Sequence, residues 1–292
     1  MAESGSPHPA FIDTRRFCAG EILGRGRVSL YWRSWLPVDD PTAVVVMAHG
    51  GLEHGGRYQH VANRFATAGL ATFAIDFRGH GRSGGRPGQI ERMAHRVDDL
   101  DRIVQYACGR HAGTPLFLLG HSLGTMVTLG YIINRYTTVS GVVLSGTGID
   151  VSGISGFQAI VARILSEMVP NLGLIRLDSA GISCDPAVVE RYDTDPLVFR
   201  GKVPVRTAAE LIASANRVRS SLDSITLPLL IVHGGADIVA SPAGAQMIFD
   251  RASSIDKKLT IYDGLYHEIL NEPEKDDVIS DVVEWISARS TP

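Results

Sequence analysis

Six short runs of continuously apolar residues, separated by stretches of helical period, constrain this chain more than any other feature. They are Val44–Ala48, Ala71–Ile75, Pro115–Leu119, Gly141–Ser145, Leu229–Val232 and Leu259–Tyr262. A strand with one solvated face alternates apolar and polar residues, so a run that does not alternate is covered on both faces. Between the runs, Val61–Ala68 is consistent with a helix closed by Gly69. His95–Ala107 places Val97, Leu100, Ile103, Val104 and Ala107 on one side, and Asp277–Ala288 does the same with Val278, Val282, Trp285 and Ile286. Strands alternating with helices predict βαβ units and a mainly parallel central sheet flanked by helices, an α/β fold. The 292 residues are 45% apolar and 20% charged, enough to bury one large core.

The rhythm fails between residues 151 and 220. That stretch opens on Val151-Ser152-Gly153-Ile154-Ser155-Gly156, and then Phe157, Ile160, Val161, Ile164, Leu165 and Met168 recur at helical spacing until Pro170. No strand is expected before Leu229. The division this predicts is a core of residues 11–150 and 221–292, with residues 151–220 as a helical cap. An apolar helix that the sheet does not need should cover something else. Residues 1–10 are polar and rich in Pro, Gly and Ser, and are expected to be a disordered arm without signal-peptide character. No run is long enough to cross a membrane. The net charge of −3, with no block of like charges, argues against nucleic acid as a partner. Cys18, Cys108 and Cys184 are widely spaced and show no metal-ligand pattern, so packed, reduced thiols in a cytoplasmic protein are expected.

Directly after the run Pro115–Leu119 comes Gly120-His121-Ser122-Leu123-Gly124, and Thr125–Tyr136 reads as a helix behind it. G-x-S-x-G at a strand-to-helix junction is the nucleophile elbow of α/β-hydrolases. Its flanking residues must be small so that the turn can lift the serine hydroxyl above the strand end. A serine needs a base, and the base needs an orienting acid. On this fold the chain order is Ser, Asp or Glu, then His. Asp237 follows the run Leu229–Val232, and His267 follows Leu259–Tyr262, so both sit in loops after late strands. Asp263, four residues before His267, is the competing acid. His121, inside the elbow, His233, still in its strand, and His80 have weaker claims as the base.

The first long run ends at His49-Gly50-Gly51, where a glycine-rich turn can present the Gly51 N–H to a scissile carbonyl. With the Leu123 N–H it would form a two-donor oxyanion hole. The stretch Arg78–Gly85 is also glycine-rich, but no Gly-Lys-Ser/Thr follows, so a structural turn is expected rather than a phosphate loop.

Together these residues resemble the monoacylglycerol lipases. His49-Gly50-Gly51-Leu52-Glu53-His54-Gly55-Gly56-Arg57-Tyr58 is similar to that family's H-G-x-x-E-H-x-x-R-Y segment. Gly79–Ser83, the elbow, the segment from Tyr192 through Asp195-Pro196-Leu197, and Tyr266-His267-Glu268 resemble family motifs in the same order, and the likeness runs from about residue 40 to 288. The resemblance implies a triad of Ser122, Asp237 and His267 with Gly51 and Leu123 as oxyanion donors. It implies a mobile cap bordering an acyl tunnel, and Glu53, His121 and Tyr192 near a glycerol head. It implies a small lipid substrate, a monoacylglycerol, with no metal and no cofactor. Thr125 departs from the family, which usually has a second glycine there, and crowding of the helix behind the elbow is the expected cost.

The same triad would serve a lysophospholipase or general carboxylesterase. An aminopeptidase would need cap acids to hold an amino terminus, and Glu167, Asp178, Asp185 and Glu190 are available. A halide or epoxide hydrolase would carry Asp in place of Ser122. A non-catalytic ligand-binding protein would not need Ser, Asp and His in this order. The apolar cap helix leaves open a transient, peripheral contact with membrane surfaces.

Overall fold

The computed structural model describes residues 12–13, 16–135, 139–150 and 155–290. The expected arm at residues 1–10, the Val151–Ile154 opening of the insertion and Tyr136 lie outside the described residues.

One sheet holds nine strands: β1 (Ile12–Asp13), β2 (Phe17–Leu23), β3 (Ser29–Trp35), β4 (Ala43–Ala48), β5 (Leu70–Ile75), β6 (Leu116–His121), β7 (Gly141–Ser145), β8 (Leu229–Gly234) and β9 (Lys257–Tyr262). Their spatial order is β1-β2-β3-β5-β4-β6-β7-β8-β9. Every pair from β5 to β9 is parallel, and the pairs from β1 to β5 are antiparallel. All six apolar runs fall in the parallel part. The strands β2 and β3 carry no such run, because Gly20, Glu21 and Arg33 interrupt their apolar pattern. Arg33 is nonetheless buried, donating to Asp76 at 2.6 Å.

Alternate residues of β4 to β8 feed two cores, one per sheet face, whereas the edge strand β9 is only partly covered, with Ile261 38% exposed, unlike the two-sided cover expected of its apolar run. Val44, Val46 and Ala48 of β4 meet α2 (Met93–Arg110), α3 (Leu123–Asn134) and α7 (Pro242–Arg251). Val45 and Met47 share the other core with residues of α1 (Gln59–Thr67) and α8 (Lys275–Ser287). This two-sided cover is why the strands do not alternate in the sequence. The arrangement is the α/β-hydrolase fold.

Between β7 and β8 the described chain holds α4 (Gly156–Met168), α5 (Pro186–Thr194) and α6 (Val205–Ser220), with no strand. The apolar stripe of α4 does not cover an inner surface, contrary to the expectation. Phe157, Ile160, Ile164 and Met168 are exposed, and α4 contributes nothing to the cavity described below. The segment from 182 to 199 is tied to the core instead. Glu272, fully buried, accepts from Ser183 Oγ at 2.7 Å and from the Tyr266 N–H at 2.8 Å. The Glu268 N–H donates to Ile182 O at 2.8 Å, and the Phe199 N–H to Leu52 O at 2.8 Å. None of the three cysteines forms a disulfide among the described residues, but only Cys18 is packed; Cys108 and Cys184 are exposed. Cys108 follows the inward-facing Ala107 on α2, and the next position along a helix turns away from the core.

Candidate active site

The turn between β6 and α3 forces its central residue into an unusual conformation. Ser122 has φ 51° and ψ −116°, a left-handed φ that costs a non-glycine residue on the order of 1–3 kcal/mol. The flanking glycines are needed for space. A Cβ on Gly124 would lie 2.0 Å from Ala48 O, and one on Gly120 would lie 2.7 Å from Gly124 O. Thr125 does not crowd the helix as expected. It is buried, and its hydroxyl donates to Ser122 O at 2.6 Å. The close approach in this turn belongs to Gly124, one position earlier.

His267 Nε2 stands 2.8 Å from Ser122 Oγ, and His267 Nδ1 stands 2.7 Å from Asp237 Oδ2. The three predicted residues therefore meet in one hydrogen-bonded chain, and Asp263 is not part of it. Asp237 Oδ1 accepts the N–H groups of Val239 and Ala240 at 2.8 and 2.9 Å. Burial works against its charge, yet hydrogen bonds from His233 and His267 hold its carboxyl well below the usual carboxylate range.

His233, a strand residue with a weak claim as the base, is part of this support. It is fully buried, with Nε2 3.0 Å from Asp237 Oδ2 and 2.9 Å from Ala240 O. Its Nδ1 accepts the Thr147 N–H, which puts the ring proton on Nε2, facing the acid. The signal in the sequence that points to it is spacing: the last positions of a strand lie beside the loop that follows, and His233 is four residues before Asp237.

Gly51 and Leu123 are neighbours, since a Cβ on Gly51 would lie 3.8 Å from Leu123 Cβ. Leu123 opens α3, so its N–H has no intrahelical acceptor. The loop carrying Gly51 is braced from below. The Gly50 N–H donates to Glu53 Oε1 at 2.7 Å, and His49 Nδ1 lies 2.7 Å from Gly50 O. Leu52 has φ 66°, so two of the three described non-glycine residues with left-handed φ border this site.

The three residues expected near a polar head fare differently. Glu53 is buried and spends its oxygens on the protein, accepting also from Tyr58 OH at 2.6 Å and Arg57 at 2.7 Å. His121 is buried with Nδ1 3.2 Å from Ser145 Oγ; burial, then the neighbouring His267, push it well below the ordinary histidine value. Tyr192 is buried, and its hydroxyl has no hydrogen-bond partner among the described residues. Arg57 and Glu268, which enter the sequence reading only as motif letters, join this group. Arg57 reaches both Glu268 oxygens at 2.5 and 2.7 Å and lies 4.8 Å from the centre of the Tyr192 ring.

Ser122, Gly51 and Leu123 line a cavity of about 250 Å³. Glu53, Tyr192, His121 and Glu268 give its wall polar groups, as do His80 and Thr207, while Ile90, Met126, Ile175, Leu177, Val203 and Leu211 are apolar. A hydroxyl next to a base, a buried acid behind the base, and the backbone N–H groups of Gly51 and Leu123 beside them are the parts needed for acyl transfer. The glycine-rich turn at 78–85 holds no such site. A Cβ on Gly81, at φ 53°, would lie 2.2 Å from Asp76 Oδ2, so the glycine is there for a close approach.

The family model described as serine aminopeptidase, S33, matches residues 39–274. A monoacylglycerol lipase of Mycolicibacterium smegmatis is 40% identical over 266 residues, covering 91% of this chain and 95% of that protein. Human monoglyceride lipase is 32% identical over 265 residues, covering 89% and 88%. Among solved structures, the monoacylglycerol lipase of Paleococcus ferrophilus superposes with a TM-score of 0.80 at 30% identity, over 89% of this chain and 99% of that one.

Proposed function

Since the chain belongs to the serine aminopeptidase S33 family of α/β-hydrolases and is similar along most of its length to monoacylglycerol lipases, we propose that it cleaves monoacylglycerols to a fatty acid and glycerol. The single observation that carries this reading is the Ser122–His267–Asp237 chain opening into a cavity lined by both polar and apolar side chains.

In this reading Ser122 Oγ attacks the ester carbonyl while His267 Nε2 takes its proton. The Gly51 and Leu123 N–H groups receive the developing oxyanion, and His267 returns the proton to the departing glycerol oxygen. Water then repeats the sequence on the acyl-enzyme. Asp237, kept ionised by its hydrogen bonds, holds His267 in the tautomer that accepts at Nε2. Among the head-group candidates, Tyr192 has its whole hydroxyl free for a glycerol oxygen. Glu53 supports the oxyanion loop, and within the proposed cap Ile175, Leu177, Tyr192 and Val203 border the cavity.

The aminopeptidase alternative lacks its anchor. Glu53 and Glu268 both face Arg57, and none of Glu167, Asp178, Asp185 and Glu190 is among the residues lining the cavity. A fluorophosphonate probe followed by glycerol-release assays on monoacylglycerols is the test. Labelling at Ser122 with turnover of monoacylglycerols is expected. Turnover of lysophospholipids with none on monoacylglycerols would overturn the substrate assignment while leaving the triad in place.

No described helix is long and apolar enough to cross a membrane. We propose that the cap meets lipid surfaces peripherally through α4 and the segment after it, where Phe157, Met168 and Ile175 are 75%, 74% and 70% exposed. Each large apolar side chain withdrawn from water contributes about 1.5–3 kcal/mol. Replacing Phe157→Glu and Ile160→Glu together is therefore expected to weaken co-sedimentation with phosphatidylcholine vesicles by about ten-fold or more. Undiminished binding would remove this face from the interface.

A further inference from the structure

We propose that Met126 is the end wall of the acyl chamber and sets the longest acyl chain the protein accepts; this rests on the ester-hydrolase reading above.

Two residues of α3 border the chamber. Leu123 and Met126 are three positions apart, hence on one face of the helix, and both line the chamber beside Ser122. The same stripe continues through Gly130 and Ile133, but these line a second, larger groove of about 640 Å³ between α2, α3 and α6. Among the described residues, Met126 alone lines both spaces. At about 1.5 Å of rise per residue, Ile133 lies roughly 10 Å further along the helix than Met126. The groove thus prolongs the chamber in the direction away from the nucleophile.

The other wall divides in the same way. On α6, Thr207 and Leu211 face the chamber, whereas Glu210 and Ser214 face the groove. Ile90 faces the chamber and Met93, which opens α2, faces the groove. Thr207 ties these elements together, its Oγ1 accepting the Ile90 N–H at 2.8 Å and donating to Gly88 O at 3.1 Å. The helices therefore fix the outline of both spaces, and one unbranched, adaptable side chain, 5% exposed, is shared between them. Met126 is one of the apolar side chains of the chamber wall, one helical turn beyond Leu123, and offers an acyl tail no polar partner.

A pocket of fixed length discriminates among chains by the methylenes it can or cannot hold, at about ten-fold or more for each change that matters. Shortening the wall should open the chamber into the groove, and enlarging it should shorten the chamber. The experiment compares kcat/KM on monooctanoylglycerol and monostearoylglycerol for the wild type, Met126→Ala, Met126→Phe and the volume-conserving Met126→Leu. Thermal melting and fluorophosphonate labelling check that each variant is folded.

The long-to-short ratio is expected to rise about ten-fold in Met126→Ala and to fall about ten-fold in Met126→Phe, with Met126→Leu close to wild type. Ratios unchanged in both Ala and Phe variants, while both turn over esters, would overturn the wall and leave the hydrolase reading intact. Should Met126→Ala fail to fold, the Phe variant alone decides, since a chamber that does not end at Met126 would keep its long-chain turnover. A wild type that cleaves neither ester would instead overturn the hydrolase reading, and the wall with it.

Discussion

Ser122→Ala is expected to lower kcat for ester hydrolysis by about 10⁶, by analogy with serine proteases in which the nucleophile has been removed. The size follows from what the hydroxyl does here. Its oxygen is 2.8 Å from His267 Nε2, so proton removal and bond formation share one pre-set geometry. Without Oγ the polar wall and the Gly51 and Leu123 donors persist, and a residual rate of about 10³–10⁴ over water is expected from them. The fold should survive, because the elbow rests on Gly120 and Gly124 and on the Ser122 backbone, whose N–H donates to Ser145 O at 2.9 Å. The double variant Ser122→Ala with His267→Ala is expected to cost little more than either alone, since each acts only through the other. Strictly additive losses would mean that the two side chains do not work as a unit. A variant retaining most of its activity would move the nucleophile elsewhere.

The elbow and its partners are legible in the sequence because their demands are local. A strand that ends in Gly120-His121-Ser122-Leu123-Gly124 has almost no other use for glycines at both ends. Asp237 and His267 follow the ends of late apolar runs, in loops on the side of the sheet where Ser122 lies. The supporting groups are harder to read, since their roles depend on partners far away in the chain. Arg57 meets Glu268 across 211 residues, and Glu272 holds Ser183 across 89. His233 is hidden for a different reason: a buried strand position favours the reading of a packed side chain, and only the loop that folds back over it brings Asp237 within 3.0 Å.

The outward face of α4 misleads by the same logic that succeeds for the sheet. Helical period shows that a stripe of residues shares a face, not which way that face points. Phe157, Ile160, Ile164 and Met168 do share one, and it lies on the outside of the cap. The chamber's apolar wall draws on residues with no common period, such as Ile90, Val203 and Leu211, contributed by separate elements. A pattern confined to one element cannot disclose a surface assembled from several.

The polar layer beneath the site leads to a second large effect, on stability rather than rate. His49, His80 and His121 are all buried. Burial pushes His49 down to about 3, against the pull of Asp76, and it pushes His80 and His121 well below the ordinary value, helped by Arg96 and His267 respectively. Their partners suit the neutral ring. His49 Nε2 accepts the Phe77 N–H at 2.9 Å, and His80 Nδ1 faces Arg96 Nη2 at 3.2 Å. In the unfolded chain each would titrate near 6.5. Below that value the unfolded state binds protons that the folded state refuses, so stability falls as pH falls, by about 1.4 kcal/mol per pH unit for each group. Three such groups give a slope of about 4 kcal/mol per unit, against a total stability on the order of 5–15 kcal/mol. Above pH 7 they contribute no slope. The depressed carboxylates Asp237 and Asp76 add their own loss only near and below the ordinary carboxylate range, about pH 4, which separates the two windows. Chemical-denaturation midpoints measured from pH 7.5 down to pH 5 are therefore expected to hold level at first and then drop steeply below about pH 6.5. His80→Gln, which cannot take up a proton in either state, should lessen that slope by about 1.4 kcal/mol per pH unit. A midpoint that stays level to pH 5 would mean that these histidines are protonated in the folded protein and that the neutral layer under the oxyanion loop does not exist.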